Sequence, residues 1–341
     1  MYLAFTPQNI LVIDFGQLGD VVLSLPALSA IRQKFSHAKI TVAVGKSCAT
    51  IIDLANVADD KIIVDRVELR DGAKLTSIFK VARLVQDVRA RKFDFVIDLH
   101  SLRETNILGF LSGAPKRLYA ERESRSLDFL SNLRPAPEDK SKHATDRYLD
   151  VLKPLKIENA ETRPKLFPRE NDLQKIEKLW QKRRLEGLTV GLFPGAGHPL
   201  RRWSLENFAG LADFLSRNDG LKIAVFLGPE EKNLTKEVRR IFPKETQIFD
   251  DLSLPEFVAA LSHLSVFVSN DTGPAHLAAA VGIPLVVLLD GAVPENYAFM
   301  PRAGNLRAIR GKRIGEIEIE QVYHAVREML AASRVESFIE R

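Results

Sequence analysis

Apolar residues come in short runs, each closed by a turn-forming cluster and followed by a stretch with helical periodicity. The clearest case is SVFVSNDTGPAHLAAAVGIPLVVLLDG, residues 265–291. Residues 266–269 have the length and composition of a buried parallel strand. The polar turn Asn270-Asp271-Thr272-Gly273 leads into a helix of small residues opened by Pro274, whose missing N–H costs nothing in a first turn. Gly282 is placed to cap that helix and Pro284 to stop it. A second apolar run, 285–289, completes a strand–helix–strand unit.

The same alternation fills the rest of the chain. Residues 10–15 predict a strand that enters Gly16-Gln17-Leu18-Gly19-Asp20, then a helix over 21–35 that Pro26 bends or delays. Strands follow at 40–44, 62–64 and 93–99, with helices at 47–55, 75–89, 102–111 and 144–152. Pro154, Pro164 and Pro168 mark a boundary, after which the pattern restarts. A helix at 171–184 leads to a strand at 189–193 and the turn Pro194-Gly195-Ala196-Gly197. Ser204 is set to cap a helix at 205–216, and a strand at 222–227 ends in Gly228-Pro229-Glu230 before a helix at 231–241. Ser253 and Glu256 have capping-box spacing for a helix at 257–264, and the last helix spans 317–332. Strands apolar on both faces alternating with helices predict an α/β protein of covered parallel sheets.

At 341 residues the chain exceeds one ordinary core, which fits two domains, 1–160 and 161–315, with 316–341 as a terminal segment. No apolar run approaches the ~20 residues that cross a bilayer, and the first residues lack the pattern of a secretory signal. One cysteine, Cys48, excludes an internal disulfide and a cysteine-rich metal site, so a reducing cytoplasm is the expected setting. The net charge of +5 suits an anionic membrane face or a phosphorylated substrate. Nucleic-acid motifs are absent, so no nucleic-acid partner is expected.

Two turns have the chemistry of anion seats. The 270–273 turn leaves the N–H groups of Thr272 and Gly273 at a helix start, where phosphate is favoured, and His276 follows in the first turn. The 194–197 turn is glycine-rich and precedes Arg201 and Arg202, a set suited to a diphosphate. Neither is a Walker A sequence, and Gly16 and Gly19 do not have GxGxxG spacing. Asp20 reads either as a first-turn acid stabilised by the helix dipole or as a carboxylate on the strand rim. Asp98 and His100 stand at another strand end, where open α/β sheets bind ligands, or hold a loop. Residues 113–125 are dense in Arg and Lys, as a solvated surface or an anion cradle would be.

Together Gly19-Asp20 with LPAL at 25–28, DLHSL with LSGAPKRL around 98–118, FPGAG and RRW within 193–203, and NDTGPAHLAAAVGIP at 270–284 resemble glycosyltransferase family 9, the bacterial ADP-heptose:lipopolysaccharide heptosyltransferases and close relatives. The resemblance covers nearly the whole chain. It implies a GT-B fold, two Rossmann-like domains whose parallel sheets face a central cleft, with the last helix crossing back to the first domain. It also implies inverting sugar transfer without a metal or other cofactor, and no DxD tripeptide occurs.

By position, Asp20 matches the family's catalytic base. The donor, ADP-heptose or another nucleotide sugar, would be held by Ala196, Gly197, Arg201, Glu230, Asp271, Thr272, Gly273, Pro274 and His276. The anionic lipid-linked oligosaccharide acceptor would lie against Arg103, Lys116, Arg117, Arg122 and Arg125, at the cytoplasmic face of an inner membrane. Two positions depart from the pattern: Asp14 stands where members often carry Lys or Arg, and Arg201 where they commonly have Lys. The expected chemistry is a single displacement in which Asp20, kept ionised but weakly basic by the helix dipole, takes the acceptor proton late. The competing readings are a non-catalytic nucleotide-sugar or phospholipid-surface binding protein and a sugar-nucleotide epimerase of the same fold.

Overall fold

Strands that are apolar on both faces can be covered only by helices on both sides, and the chain does this twice. The computed structural model describes residues 5–65, 74–134, 137–198, 201–293 and 296–339. It divides into two units, Met1–Thr162 and Arg163–Arg341, within the proline-bearing stretch.

In the first unit β1 (Asn9–Asp14), β2 (Lys39–Gly45), β3 (Asp60–Val64), β4 (Phe95–Asp98) and β5 (Lys116–Tyr119) form a parallel sheet in the order β3-β2-β1-β4-β5. Its connections carry α1 (Leu18–Lys34), α2 (Ala49–Ala55), α3 (Lys74–Ala90) and α4 (Arg103–Leu111), and α5 (Ala144–Asp150) packs on α1. Ile10, Leu11, Val12 and Ile13 are wholly buried in the central strand. The helix after β1 starts three residues earlier than its apolar pattern suggests. The Asp20 carboxylate accepts the Gln17 N–H (3.1 Å), and Val21 N–H donates to Gln17 O (2.9 Å), which closes the first turn over the glycines. Pro26 lies inside α1 without ending it.

The second unit orders its strands β11-β10-β9-β6-β7-β8, again all parallel. They are β6 (Thr189–Phe193), β7 (Lys222–Phe226), β8 (Gln247–Phe249), β9 (Val266–Asn270), β10 (Leu285–Asp290) and β11 (Leu306–Gly311). The helices are α6 (Glu170–Lys182), α7 (Leu205–Asp219), α8 (Thr235–Ile241), α9 (Leu254–Leu261), α10 (Gly273–Val281), the short α11 (Asn296–Phe299) and α12 (Ile319–Ile339). Ser204 caps α7 by accepting the Asn207 N–H (3.1 Å), and Ser253 with Glu256 forms the capping box of α9. Gly282 closes α10 at φ 89°, a conformation glycine adopts without strain. Residues 316–341, expected as a separate terminal segment, fall in the second unit, and Val322, Tyr323, Ala325, Val326 and Met329 of α12 share its core with Leu211, Leu215 and Val286. No described helix is long and apolar enough to cross a membrane.

Candidate active site

The carboxyl edge of the first sheet gathers acids. Asp14 ends β1 and is wholly buried; its Oδ1 accepts the Gly16 N–H (3.0 Å) and its Oδ2 the Ser24 hydroxyl (2.5 Å), while His100 Nδ1 lies 3.9 Å from Oδ1. A Cβ on Gly16 would sit 2.6 Å from Asp20 Cβ and 3.1 Å from Asp14 Oδ1, so only glycine lets the turn fold this tightly around the two carboxylates. Asp20 is half-buried. Burial pushes its carboxyl above the ordinary value, the Gln17 N–H pulls it back, Asp14 adds to the rise, and His100 and Arg122 oppose it. Burial is the largest influence on this carboxyl and raises it, in the direction opposite to the weak base expected from the helix dipole.

Asp98 ends β4 and is pushed up to about 7 by burial, against hydrogen bonds from Ser101 N–H (2.7 Å) and Asn106 Nδ2 (2.7 Å). It therefore holds a loop. Arg122, just beyond β5, donates to Glu138 Oε1 (2.9 Å) and Leu99 O (3.2 Å) and contributes to the field at both Asp20 and Asp98. Of the five cations read as acceptor-binding, Arg122 is the one whose field reaches Asp20. Lys116 and Arg117 open β5, paired with Phe95 and Val96, so they lie at the amino edge, the far end of the sheet from Asp20. Arg117 is also committed to Ala114 O (2.6 Å) and Leu130 O (3.0 Å). Arg103 is exposed on α4 and reaches Ser124 O (3.3 Å), and Arg125 is exposed in the following loop.

The carboxyl edge of the second sheet gathers donors. β6 and β9 are neighbours, with Phe193 opposite Ser269, which sets the 194–197 and 271–273 turns side by side. The buried Asn270 amide ties them together: Nδ2 donates to Gly195 O (2.9 Å) and Pro194 O (3.3 Å), and Oδ1 accepts the Trp203 N–H (3.0 Å). Thr272 has extended backbone at the start of α10, and its carbonyl takes the N–H groups of Ala275 (3.1 Å) and His276 (3.4 Å). The Gly273 N–H precedes the helical ladder and meets no acceptor among the described residues, while Pro274 has no N–H to offer. His276 is buried in this turn.

Ala196 is buried and Gly197 exposed. Arg202 donates to Ala196 O (3.3 Å), and its buried Nε meets no acceptor among the described residues. Burial pushes Asp271 up to about 6, with the Arg201 charge pulling it back. Glu230 stays exposed at the end of β7; its neighbour Glu231 turns inward and accepts the Gly228 N–H (3.1 Å). A Cβ on Gly195 would lie 2.3 Å from Glu231 Oε1, so the buried acid packs directly beneath the glycine turn. Sequence reading passed over Asn270 and Glu231. The usable signal was a fully polar side chain closing an apolar strand, which needs internal partners when buried.

One edge thus offers a half-buried carboxylate raised above its ordinary value, and the other offers amides and guanidinium groups suited to a polyanion. Residues 81–314 match Glycosyltransferase family 9 (heptosyltransferase). The chain belongs to glycosyltransferase family 9. It is 23% identical over 303 residues to Lipopolysaccharide heptosyltransferase 3 of Escherichia coli, covering 84% of each chain. The solved family 9 glycosyltransferase of Veillonella parvula superposes with a TM-score of 0.84 at 22% identity, over 95% of this chain and 97% of that one. E. coli heptosyltransferase WaaC with ADP gives 0.78 at 19% identity, over 94% and 100%. The family 9 chain is therefore a glycosyltransferase of heptosyltransferase type, and its two parallel α/β sheets have the GT-B fold.

Proposed function

We propose that the enzyme transfers heptose, or a related sugar, from an ADP-sugar to a lipopolysaccharide core acceptor with inversion at the anomeric carbon. The observation that carries this is the desolvated Asp20 carboxylate at the first sheet's carboxyl edge. The acceptor hydroxyl loses its proton to Asp20 as its oxygen bonds to the anomeric carbon and the bond to the diphosphate oxygen breaks. The departing ADP gains one negative charge. The Thr272 and Gly273 amides, Arg201 and His276 stabilise that charge without a divalent metal, in the manner of preorganised donors elsewhere. Asp271 orients the sugar and Glu230 the ribose. Names of relatives support the donor and acceptor classes: a lipopolysaccharide heptosyltransferase, and a heptosyltransferase seen with ADP.

Asp14 does not weigh against catalysis. Its carboxylate accepts the Gly16 N–H and the Ser24 hydroxyl, a structural role at the end of β1. The reaction takes place at the cytoplasmic face of the inner membrane, with Arg122 near the acceptor's anionic groups. The deciding experiment incubates the enzyme with ADP-heptose and a truncated core acceptor, with and without EDTA. Product of inverted configuration in both is expected; strict dependence on added Mg²⁺ removes the metal-free scheme, and ADP-heptose left intact removes the donor.

A further inference from the structure

Large apolar side chains are costly to leave in water, and the first unit exposes several on one layer of helices. On α4, Arg103, Ile107 and Phe110 fall on one stripe, because steps of four and three residues at about 100° each return to the same side. Ile107 and Phe110 are 44% and 47% exposed. Phe129, in the 3-10 turn Asp128–Leu130 packed against α4, is 77% exposed. Arg117 joins the two: its guanidinium lies 5.4 Å over the Phe110 ring while its Nε donates to Leu130 O. Arg103 bonds to the carbonyl of Ser124 beside the exposed Arg125. The adjoining α3 repeats the motif, with Phe79 (74% exposed) one turn before the exposed Arg83. Of the nearby acids, Glu104 lies about 100° round α4 from Arg103, off the stripe, Glu123 is paired with Lys140 (3.0 Å), and Asp128 accepts the Ser126 hydroxyl (3.0 Å).

We propose that the face formed by Ile107, Phe110 and Phe129 with Arg103, Arg117 and Arg125 docks on an anionic phospholipid bilayer. Charge decides the occupant. An apolar patch alone suits a second copy as well, but this one is studded with guanidinium groups that would face one another across a self-contact, whereas phosphate headgroups above an acyl layer satisfy both. Arginine stems cover apolar surface while their heads stay in the headgroup zone. The inference rests on the membrane-face setting proposed above; vesicle binding is read without donor or acceptor, so its failure is distinguishable from failure of sugar transfer.

The test is co-sedimentation of the full chain with vesicles of phosphatidylcholine and phosphatidylglycerol in equal parts, beside pure phosphatidylcholine. Binding to the mixed vesicles, weakened by salt, is expected. Phe129→Ser should lower the partition coefficient about ten-fold through lost burial, and Arg125→Glu at least about five-fold. Both positions are exposed, so circular dichroism should show unchanged melting. No binding of the unaltered chain to mixed vesicles, or equal binding by Phe129→Ser, overturns the proposal. So does a dimer in gel filtration that Phe129→Ser dissolves without any vesicle binding.

Discussion

At the end of β1 the polar groups are carboxylates, Asp14 behind and Asp20 in front, closed around Gly16. At the ends of β6 and β9 they are amides and guanidinium groups, held by Asn270 and flanked by Arg201 and Arg202. Both edges come from a parallel strand, a glycine turn and a helix start, and both helix starts favour negative charge. They differ in what is supplied internally. The first fills its helix start with its own acid, Asp20 bonding to Gln17; the second leaves Gly273 without one. A helix start that carries its own carboxylate is suited to take a proton, and one left open is suited to take a phosphate.

The largest effect should come from breaking the first edge. Asp20→Asn keeps the shape and the Gln17 hydrogen bond but removes the proposed base. Turnover should fall by about 10²–10⁴-fold, while ADP affinity by calorimetry stays within a few-fold; retained turnover would exclude Asp20. Next comes the strut of the second edge. Asn270→Ala leaves the carbonyls of Pro194 and Gly195 and the N–H of Trp203 without their partner, costing about 3 kcal/mol in urea unfolding and weakening ADP binding. Unchanged stability would mean those groups are re-satisfied. Gly195→Ala drives a methyl group into Glu231 and should cost about 1–3 kcal/mol, read by the same unfolding series.

The smallest effects sharpen the comparison through pH. The proposed base, Asp20, must be deprotonated to act, so activity should fall as pH drops through its raised pKa. Asp14→Asn removes a neighbouring negative charge, lowers that pKa and moves the acid limb of the rate profile to lower pH. On the other edge Arg201→Ala removes the charge that opposes burial at Asp271, so that carboxyl, near 6 in the unaltered protein, should titrate at higher pH by carboxyl-carbon NMR. A shift in the opposite direction at either site would contradict the assigned neighbours.

Local features were readable because their causes are local. The apolar runs, the Ser204 and Ser253 caps, the Gly282 stop and the rim position of Asp20 follow from neighbours a few residues away. What the chain concealed depends on strand order and direction. Asn270 reaches the 194–195 carbonyls only because β9 lies beside β6, a contact 75 residues long in sequence. Whether Glu230 or Glu231 turns inward is set by the 3-10 turn Pro229–Leu234, and periodicity cannot distinguish adjacent acids. Lys116 and Arg117 looked like part of a basic cradle because composition does not say at which end of a strand a residue stands. β11 was hidden among arginines, since a sheet-edge strand need bury little, and β8 is only three residues long.

Trp203 carries one more implication. Wholly buried, it joins Asn270 through its backbone N–H and, through its indole N–H, the carbonyl of Ile317 (2.9 Å), 114 positions further on. During synthesis the ribosome must therefore deliver Ile317 before the turns tied together by Asn270 acquire their final support. The first unit ends at Thr162 and has no such wait, so on a chain growing at roughly 5–20 residues per second the first unit is complete roughly ten to thirty seconds before Ile317 is delivered to the second.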